Sequence, residues 1–260
     1  MANWIRYAIA ADAAARFGTL QDGTVSEYDG SLFGEHRPTG VRHALQDVRL
    51  LAPCEPAKIL ALWNNFHELS RKLGKPPPSH PLYVIKPASS VAATGMPIRR
   101  PSGYEGKIVF EGELGIVIGR ACRDVAVHDA GAFIFGYTCV NDVTAVQRIE
   151  EDPAFAQWTR AKCSDTFCCL GPSIATDLDW AAARVVTVVD GVERQNYPVA
   201  DMILDPPRIV SAVSADMTLE AGDVIACGTS VGAGSLREGA RVSVRIGGIG
   251  ELHNRLGAQP

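Results

Sequence analysis

Val109-Phe110-Glu111-Gly112-Glu113-Leu114-Gly115-Ile116-Val117-Ile118-Gly119 is the stretch on which both the fold and the chemistry turn. Residues 108–118 alternate apolar and other side chains, which predicts a strand. Two carboxylates stand at positions i and i+2 near its start. A period of two puts Glu111 and Glu113 on one face, within reach of each other. If buried, such a pair repels, and one member takes a proton unless a cation lies between them. A hard divalent ion resolves the conflict. Mg²⁺ and Mn²⁺ both favour carboxylate oxygens and keep waters that a substrate can displace. The ordinary alternative is an outward face with two solvated carboxylates. Asp142, in Gly136-Tyr137-Thr138-Cys139-Val140-Asn141-Asp142-Val143-Thr144-Ala145, ends a second apolar run. Aspartate at a strand end is also a routine turn residue, and spacing alone does not join it to the glutamates.

Outward from this stretch, strand signals dominate. Residues 133–140 read as a strand after a short helix at 128–132. Residues 185–189, then Asp190-Gly191, then Val192 onward read as a hairpin whose turn needs positive φ. Residues 224–227 and 242–246 are further strands, each preceded by a turn, at 220–223 and 237–240. Upstream, 58–63 and 82–85 read as strands. Between them, 64–75 has helical spacing at Phe66, Leu69 and Leu73, with Pro76-Pro77-Pro78 as the expected stop. Residues 5–10 and 47–51 are candidate strands of a small N-terminal unit, joined by a Gly-rich, polar stretch. No regular βα alternation exists, which argues against a Rossmann or TIM architecture. The expected class is α+β, mostly β, with a small N-terminal domain at 1–52 and a larger domain at 53–260.

The 260 residues are 47% hydrophobic and 21% charged, a globular balance sufficient for one sizeable core. The formal net charge of −4 offers no basic field for nucleic acid, and none is expected as a partner. The start, Met1 to Ala10, lacks the pattern of a signal peptide, and no apolar run approaches the roughly 20 residues of a membrane span. A cytoplasmic protein without membrane contact is the expectation. The seven cysteines form no C-x-x-C pair, so reduced thiols are expected. Cys163 and Cys168 have no His at zinc spacing after them.

Residues 110–119 and 136–145, Trp158-Thr159-Arg160-Ala161-Lys162, Asp165-Thr166-Phe167, Leu170-Gly171-Pro172, residues 219–232, and Gly247-Gly248-Ile249-Gly250 with Asn254 together resemble the fumarylacetoacetate hydrolase family, in order, over roughly residues 58–256. The resemblance implies a mixed, mostly β fold around a central β-roll, and a homodimer. It implies an E-x-E…D site for Mg²⁺ or Mn²⁺, matched by Glu111, Glu113 and Asp142. Lys162 matches the lysine of the family's W-x-x-A-K pattern, where it can neutralise a substrate carboxylate or a developing enolate. Thr229 matches the threonine of a G-T-x loop that offers donors to a carboxylate, and Lys86 matches a pocket-wall position. By themselves these three read as a surface lysine, a turn residue and a strand-end lysine.

Two departures bear on the reaction. Hydrolases of the family carry H-x-x-E in a short lid helix, a pair that activates water. Here the segment reads Asn64-Asn65-Phe66-His67-Glu68-Leu69-Ser70-Arg71-Lys72-Leu73-Gly74, and the expected His and Glu positions hold Leu69 and Lys72. His67 with Glu68 is the nearest substitute, although adjacent helix residues do not face each other. The plain alternative is a surface histidine on a mobile loop. Val146-Gln147 replaces the family's Arg-Asp, which leaves Gln147 or Arg148 to contact substrate. The resemblance implies first the hydrolysis of a C–C bond in a 2,4-dioxo acid such as maleylpyruvate or fumarylpyruvate. It implies second the decarboxylation or isomerisation of a 2-oxo- or 2-hydroxy-diene diacid, which the absent H-x-x-E favours. A metal-containing binding protein without turnover is the third reading.

Overall fold

A computed structural model describes residues 3–9 and 12–258 of the protein. The chain opens with an antiparallel meander, β1 (Asn3–Ile9), β2 (Asp12–Gln21), β3 (Thr24–Gly30) and β4 (His36–Ala44), and β5 (Val48–Leu50) returns to pair with β1. Ala10, the end of the first expected strand, lies outside the described residues. The polar stretch between the two expected strands is itself stranded. Asp22-Gly23, both at positive φ, turn β2 into β3, and Gly18 lets the Ser26 carbonyl approach where a Cβ would sit 2.2 Å away. Cross-strand pairing, rather than an apolar run, makes these strands.

The rest of the chain runs β6 (Lys58–Trp63), α1 (His67–Leu73), β7 (Leu82–Pro87), β8 (Val91–Ala92), β9 (Pro97–Ile98), β10 (Ile108–Phe110), β11 (Gly112–Ile118), α2 (Val127–Ala130), β12 (Ile134–Asp142), β13 (Thr144–Ala145), α3 (Trp158–Lys162) and β14 (Cys168–Ala175). It continues through β15 (Arg184–Val189), β16 (Val192–Pro198), α4 (Pro206–Asp216), β17 (Val224–Ala226), β18 (Gly234–Leu236), β19 (Arg241–Ile246) and β20 (Gly250–Leu256). Strands dominate, as an α+β, mostly β chain requires.

One large sheet has the order β4-β3-β2-β1-β14-β12-β11-β17-β6-β7. Its central strands β11, β12 and β14 are buried on both faces, which their unbroken apolar runs permit. A second sheet, β16-β15-β19-β20-β9, packs against it and alternates buried with exposed positions. The hairpin turn Asp190-Gly191 has both residues at positive φ, as its sequence demands. The main core lies between these sheets and under α4.

Three expectations need correction. The strand read over 108–118 is broken at Glu111: β10 belongs to a small sheet with β13 and β18, and β11 enters the large one. The helix read over 64–75 spans only His67–Leu73, because Asn64 is left-handed and Gly74, at φ 62°, caps the end before the prolines. The longest helix, α4, had no counterpart in the sequence reading. Asp205 accepts from the Arg208 amide, Pro206 and Pro207 open the first turn, and Ile209, Val210 and Val213 face the core.

Candidate metal centre

The site is built where the chain changes sheets. The Glu111 amide donates to Asn141 Oδ1 (3.0 Å), and the Glu111 carbonyl accepts from the Asp142 amide (2.9 Å). The next residue, Gly112, is clamped from β16 and the 228–231 loop. Its N–H donates to Gln195 Oε1 (3.0 Å), and its carbonyl accepts from Tyr197 Oη (2.5 Å) and Thr229 Oγ1 (3.0 Å). Gln195 Nε2 in turn donates to Thr229 Oγ1 (2.8 Å). A side chain at Gly112 would begin 2.0 Å from Thr187 Oγ1, so the clamp closes only on glycine. The two peptides that flank Gly112 are therefore both held, which aims the carboxylates on either side at one point.

Glu111, Glu113 and Asp142 converge there, each offering an oxygen within 4.8 Å of the others. Glu113 and Asp142 are fully buried, and the Glu111 side chain is 17% exposed, so the cluster opens to solvent on the Glu111 side. Glu113 Oε2 accepts from the Gly228 amide (2.9 Å), while its Oε1 is buried without a partner. Two ammonium groups enter the cluster. Lys162 Nζ contacts Glu111 (3.1 Å), Asp142 and Thr144 Oγ1 (2.9 Å). Lys86 Nζ contacts Asp142 and the Phe167 carbonyl (2.8 Å).

Three carboxylates against two ammoniums leave one negative charge over. Its effect falls on Glu113. Burial first, then repulsion from Asp142 and Glu111, pushes the Glu113 carboxyl well above its usual range. Burial also raises Glu111, although Lys162 opposes it. For Asp142, burial is outweighed by Lys162 and Lys86, which hold it below its usual value. For Lys162, burial is outweighed by Asp142, Glu111 and Glu113, so the ammonium stays protonated. A buried all-oxygen donor set with residual negative charge and one orphaned carboxylate oxygen fits a hard divalent cation. The triad can hold a metal ion.

The other expected residues divide. Lys86, read as a pocket wall, lies against Asp142 itself. The Thr229 hydroxyl is engaged by Gly112 and Gln195 and supports the Glu111–Glu113 peptide. His67 and Glu68 occupy the first turn of α1 with exposed side chains. Neither bonds to the other or to the carboxylates, and the Glu68 amide caps onto Asp201 Oδ2 (3.0 Å). Gln147 Oε1 accepts from Tyr104 Oη (2.6 Å) and the Lys107 amide (2.8 Å), so it braces the preceding loop. Arg148 stacks its guanidinium 5.1 Å from the Tyr104 ring centroid. Sequence reading missed Thr144, Gln195, Tyr197 and Gly228. Thr144 sits two residues past Asp142 and was within reach of inspection. Gln195 and Tyr197 are the buried positions of an alternating strand, and the sequence does not say which face of that strand is inward.

Residues 58–257 match the family model described as fumarylacetoacetate (FAA) hydrolase C-terminal, and residues 3–53 match that described as Rv2993c-like, N-terminal. Protein Rv2993c of Mycobacterium tuberculosis is 42% identical over 91% of this chain and 89% of its own length. Oxaloacetate tautomerase YisK of Bacillus subtilis is 32% identical over 83% of this chain and 75% of its own. Among solved structures, 2-hydroxyhepta-2,4-diene-1,7-dioate isomerase from Mycobacterium marinum superposes with a TM-score of 0.89 at 37% identity, over 99% of this chain and 98% of that one. Maleylpyruvate hydrolase from Sphingobium sp. SYK-6, in complex with manganese(II) and pyruvate, superposes with a TM-score of 0.80 at 25% identity, over 99% and 100%. No helix among the described residues is long and apolar enough to cross a membrane. With a family model covering most of its length and the acidic triad assembled where the motifs lie, the chain belongs to the fumarylacetoacetate hydrolase family.

Proposed function

We propose that the protein converts a small 2-oxo acid through its enol, by keto–enol interconversion or by decarboxylation. The observation that carries this reading is Lys162: a buried, protonated ammonium set among three carboxylates, with no water-activating His/Glu pair assembled beside it. Glu111, Glu113 and Asp142 hold Mg²⁺ or Mn²⁺, which supplies Lewis acidity toward a 2-oxo group and its neighbouring carboxylate. Lys162 provides a fixed positive charge where the enolate oxygen develops negative charge, already desolvated and needing no reorganisation. Lys86, locked to Asp142 and the Phe167 carbonyl, orients that carboxylate. Thr144 holds Glu111 and Lys162 in register. Support also comes from the relative named an oxaloacetate tautomerase.

Hydrolysis of an acylpyruvate is the second reading. It is favoured by the neighbour named a maleylpyruvate hydrolase, and it requires His67 to reach the site from α1. The protein is further proposed to be a homodimer with its catalytic domain at 53–260, which light scattering and limited proteolysis test. The deciding experiment incubates protein and Mg²⁺ or Mn²⁺ with oxaloacetate, 2-oxo-diene diacids and acylpyruvates, and follows products by NMR. EDTA and Glu113→Gln serve as controls. Enol conversion or CO₂ release lost in both controls, and retained in His67→Ala, is the expected result. Pyruvate plus a second acid, lost in His67→Ala, replaces it with hydrolysis. No metal-dependent product overturns both.

A further inference from the structure

The face of the large sheet that carries the carboxylates continues past them into an apolar cavity. Glu113 and Gly115 are two apart on β11 and share a face. Gly115 pairs with Ala226, Ala226 with Ala61, and Ala61 with Val84. Lys86, two residues beyond Val84, projects from that same face onto Asp142. Trp63 and Leu82, paired with each other, are the next step outward. Helix α3 lies over this floor, with Lys162 at one end and Trp158 at the other.

Ala61, Trp63, Leu82, Tyr83, Val84, Trp158 and Lys162 line a cavity of about 250 Å³ that is open on one side. Its inner wall is thus the lysine that touches Glu111 and Asp142. The Trp63 and Trp158 rings stand 6.0 Å apart, centroid to centroid, at 56°. Lys162 Nζ points at the carboxylates, and the Tyr83 side chain leaves the opposite face of the strand from Leu82 and Val84, its hydroxyl donating to Asp216 (3.0 Å) away from the cavity. A second carboxylate placed here would lose its water and find no free cation in the wall. Lys75 stands over the Trp63 ring, 5.8 Å from its centroid. A dry apolar cavity of about 150 Å³ already accepts a benzene molecule, so the space suffices for an aryl group.

Resting on the enol reading above, we propose that this cavity receives the substituent of the 2-oxo acid that points away from the carboxylates. The preferred substrates are then 2-oxo acids bearing an aryl or bulky alkyl group at carbon 3, rather than short diacids. Trp63 and Trp158 determine specificity by flanking that group.

The test measures binding, so it does not depend on turnover. The Mn²⁺-loaded protein is titrated with pyruvate, phenylpyruvate and oxaloacetate, using calorimetry and tryptophan quenching. Phenylpyruvate should bind at least tenfold more tightly than pyruvate, and oxaloacetate should gain no such factor. The phenylpyruvate-to-pyruvate ratio should fall towards one in Trp63→Ala and Trp158→Ala and persist in Trp63→Phe. Mn²⁺ affinity measured beside it checks that each variant is folded. Equal affinities, a ratio unchanged in both alanine variants, or a preference for oxaloacetate lost in Lys75→Ala each overturns the proposal. Selective phenylpyruvate binding with no metal-dependent conversion of any 2-oxo acid leaves the cavity assignment standing and removes the enol reading.

Discussion

Tyr197 donates its phenol hydrogen to the carbonyl oxygen of Gly112 across 2.5 Å, joining two residues 85 positions apart at the one residue that separates Glu111 from Glu113. Thr229 donates to the same oxygen. Tyr197→Phe therefore leaves that carbonyl with one donor, and the expected cost is about 0.5–1.5 kcal/mol of stability. Adding Thr229→Val strips the second donor and leaves a buried acceptor unpaired, so the double variant should lose more than the sum of the singles. Calorimetric unfolding measures the stabilities, and Mn²⁺ titration by electron paramagnetic resonance reads the effect on the glutamates. Strict additivity with unchanged Mn²⁺ affinity would mean that the clamp does not position them.

Gly112→Ala should be more damaging than either. Its Cβ would lie 2.0 Å from Thr187 Oγ1 and 3.2 Å from Val244 Cγ2, both on buried residues. Overpacking of this kind costs about 1–3 kcal/mol. We expect a lower melting temperature together with at least a tenfold loss of Mn²⁺ affinity. Adding Thr187→Ser removes only a methyl and leaves the clashing oxygen, so it should not restore binding, whereas Thr187→Gly should restore part of it.

Glu113→Gln separates metal binding from stability. The carboxyl is buried, its ionised form is opposed by burial and by two neighbouring carboxylates, and Oε1 has no partner. Replacing it with a neutral amide should leave the metal-free protein as stable as the parent, or more so. The metal-loaded parent should melt higher by the linkage term, about 2.7 kcal/mol at a hundredfold excess over Kd, and EDTA should remove that gain. In Glu113→Gln, neither Mn²⁺ nor EDTA should move the melting curve. A variant still stabilised by Mn²⁺ would assign the ion to another site.

Lys162→Met keeps the length and apolar stem of the side chain and removes its charge. The expected result is a fall in kcat of about 10²–10³, the range for loss of one preorganised charge-stabilising group. Mn²⁺ binding should persist, since the three carboxylates are retained. A kcat within threefold of the parent would remove Lys162 from the chemistry.

Acid stability has an origin remote from the site. Burial tends to raise the Glu27 carboxyl, but hydrogen bonds from Tyr7 (3.0 Å) and Arg16 (3.1 Å), with the charge of Arg16, outweigh it and hold it below its usual range. Because the folded value is depressed, the unfolded chain binds the proton more readily. The stabilisation is complete above the unfolded glutamate value, about 4.3, and is lost as pH falls through the folded one. Glu27→Gln should be less stable than the parent at neutral pH and should converge with it in acid. Urea unfolding at a series of pH values measures both, and a constant difference down to pH 2 would contradict the linkage.

The chemistry-bearing residues were legible because they stand in short, ordered motifs. Glu111 and Glu113 could be paired from their spacing, Asp142 and Lys162 were named only through the family resemblance, and the apolar runs of β6, β11 and β12 marked strands. What the sequence by itself determined was the mostly β class, the family and the donor types. The tertiary structure decided where each donor points. It broke the expected strand at Glu111, so the two glutamates converge through a clamped glycine rather than through simple alternation. It placed Lys86 on Asp142, left His67 and Glu68 exposed, and set Trp63 beside Trp158 across 95 residues of chain. The reason is physical: periodicity and motif spacing report local backbone geometry, whereas burial, repulsion and hydrogen-bond satisfaction depend on neighbours that only the folded chain brings together.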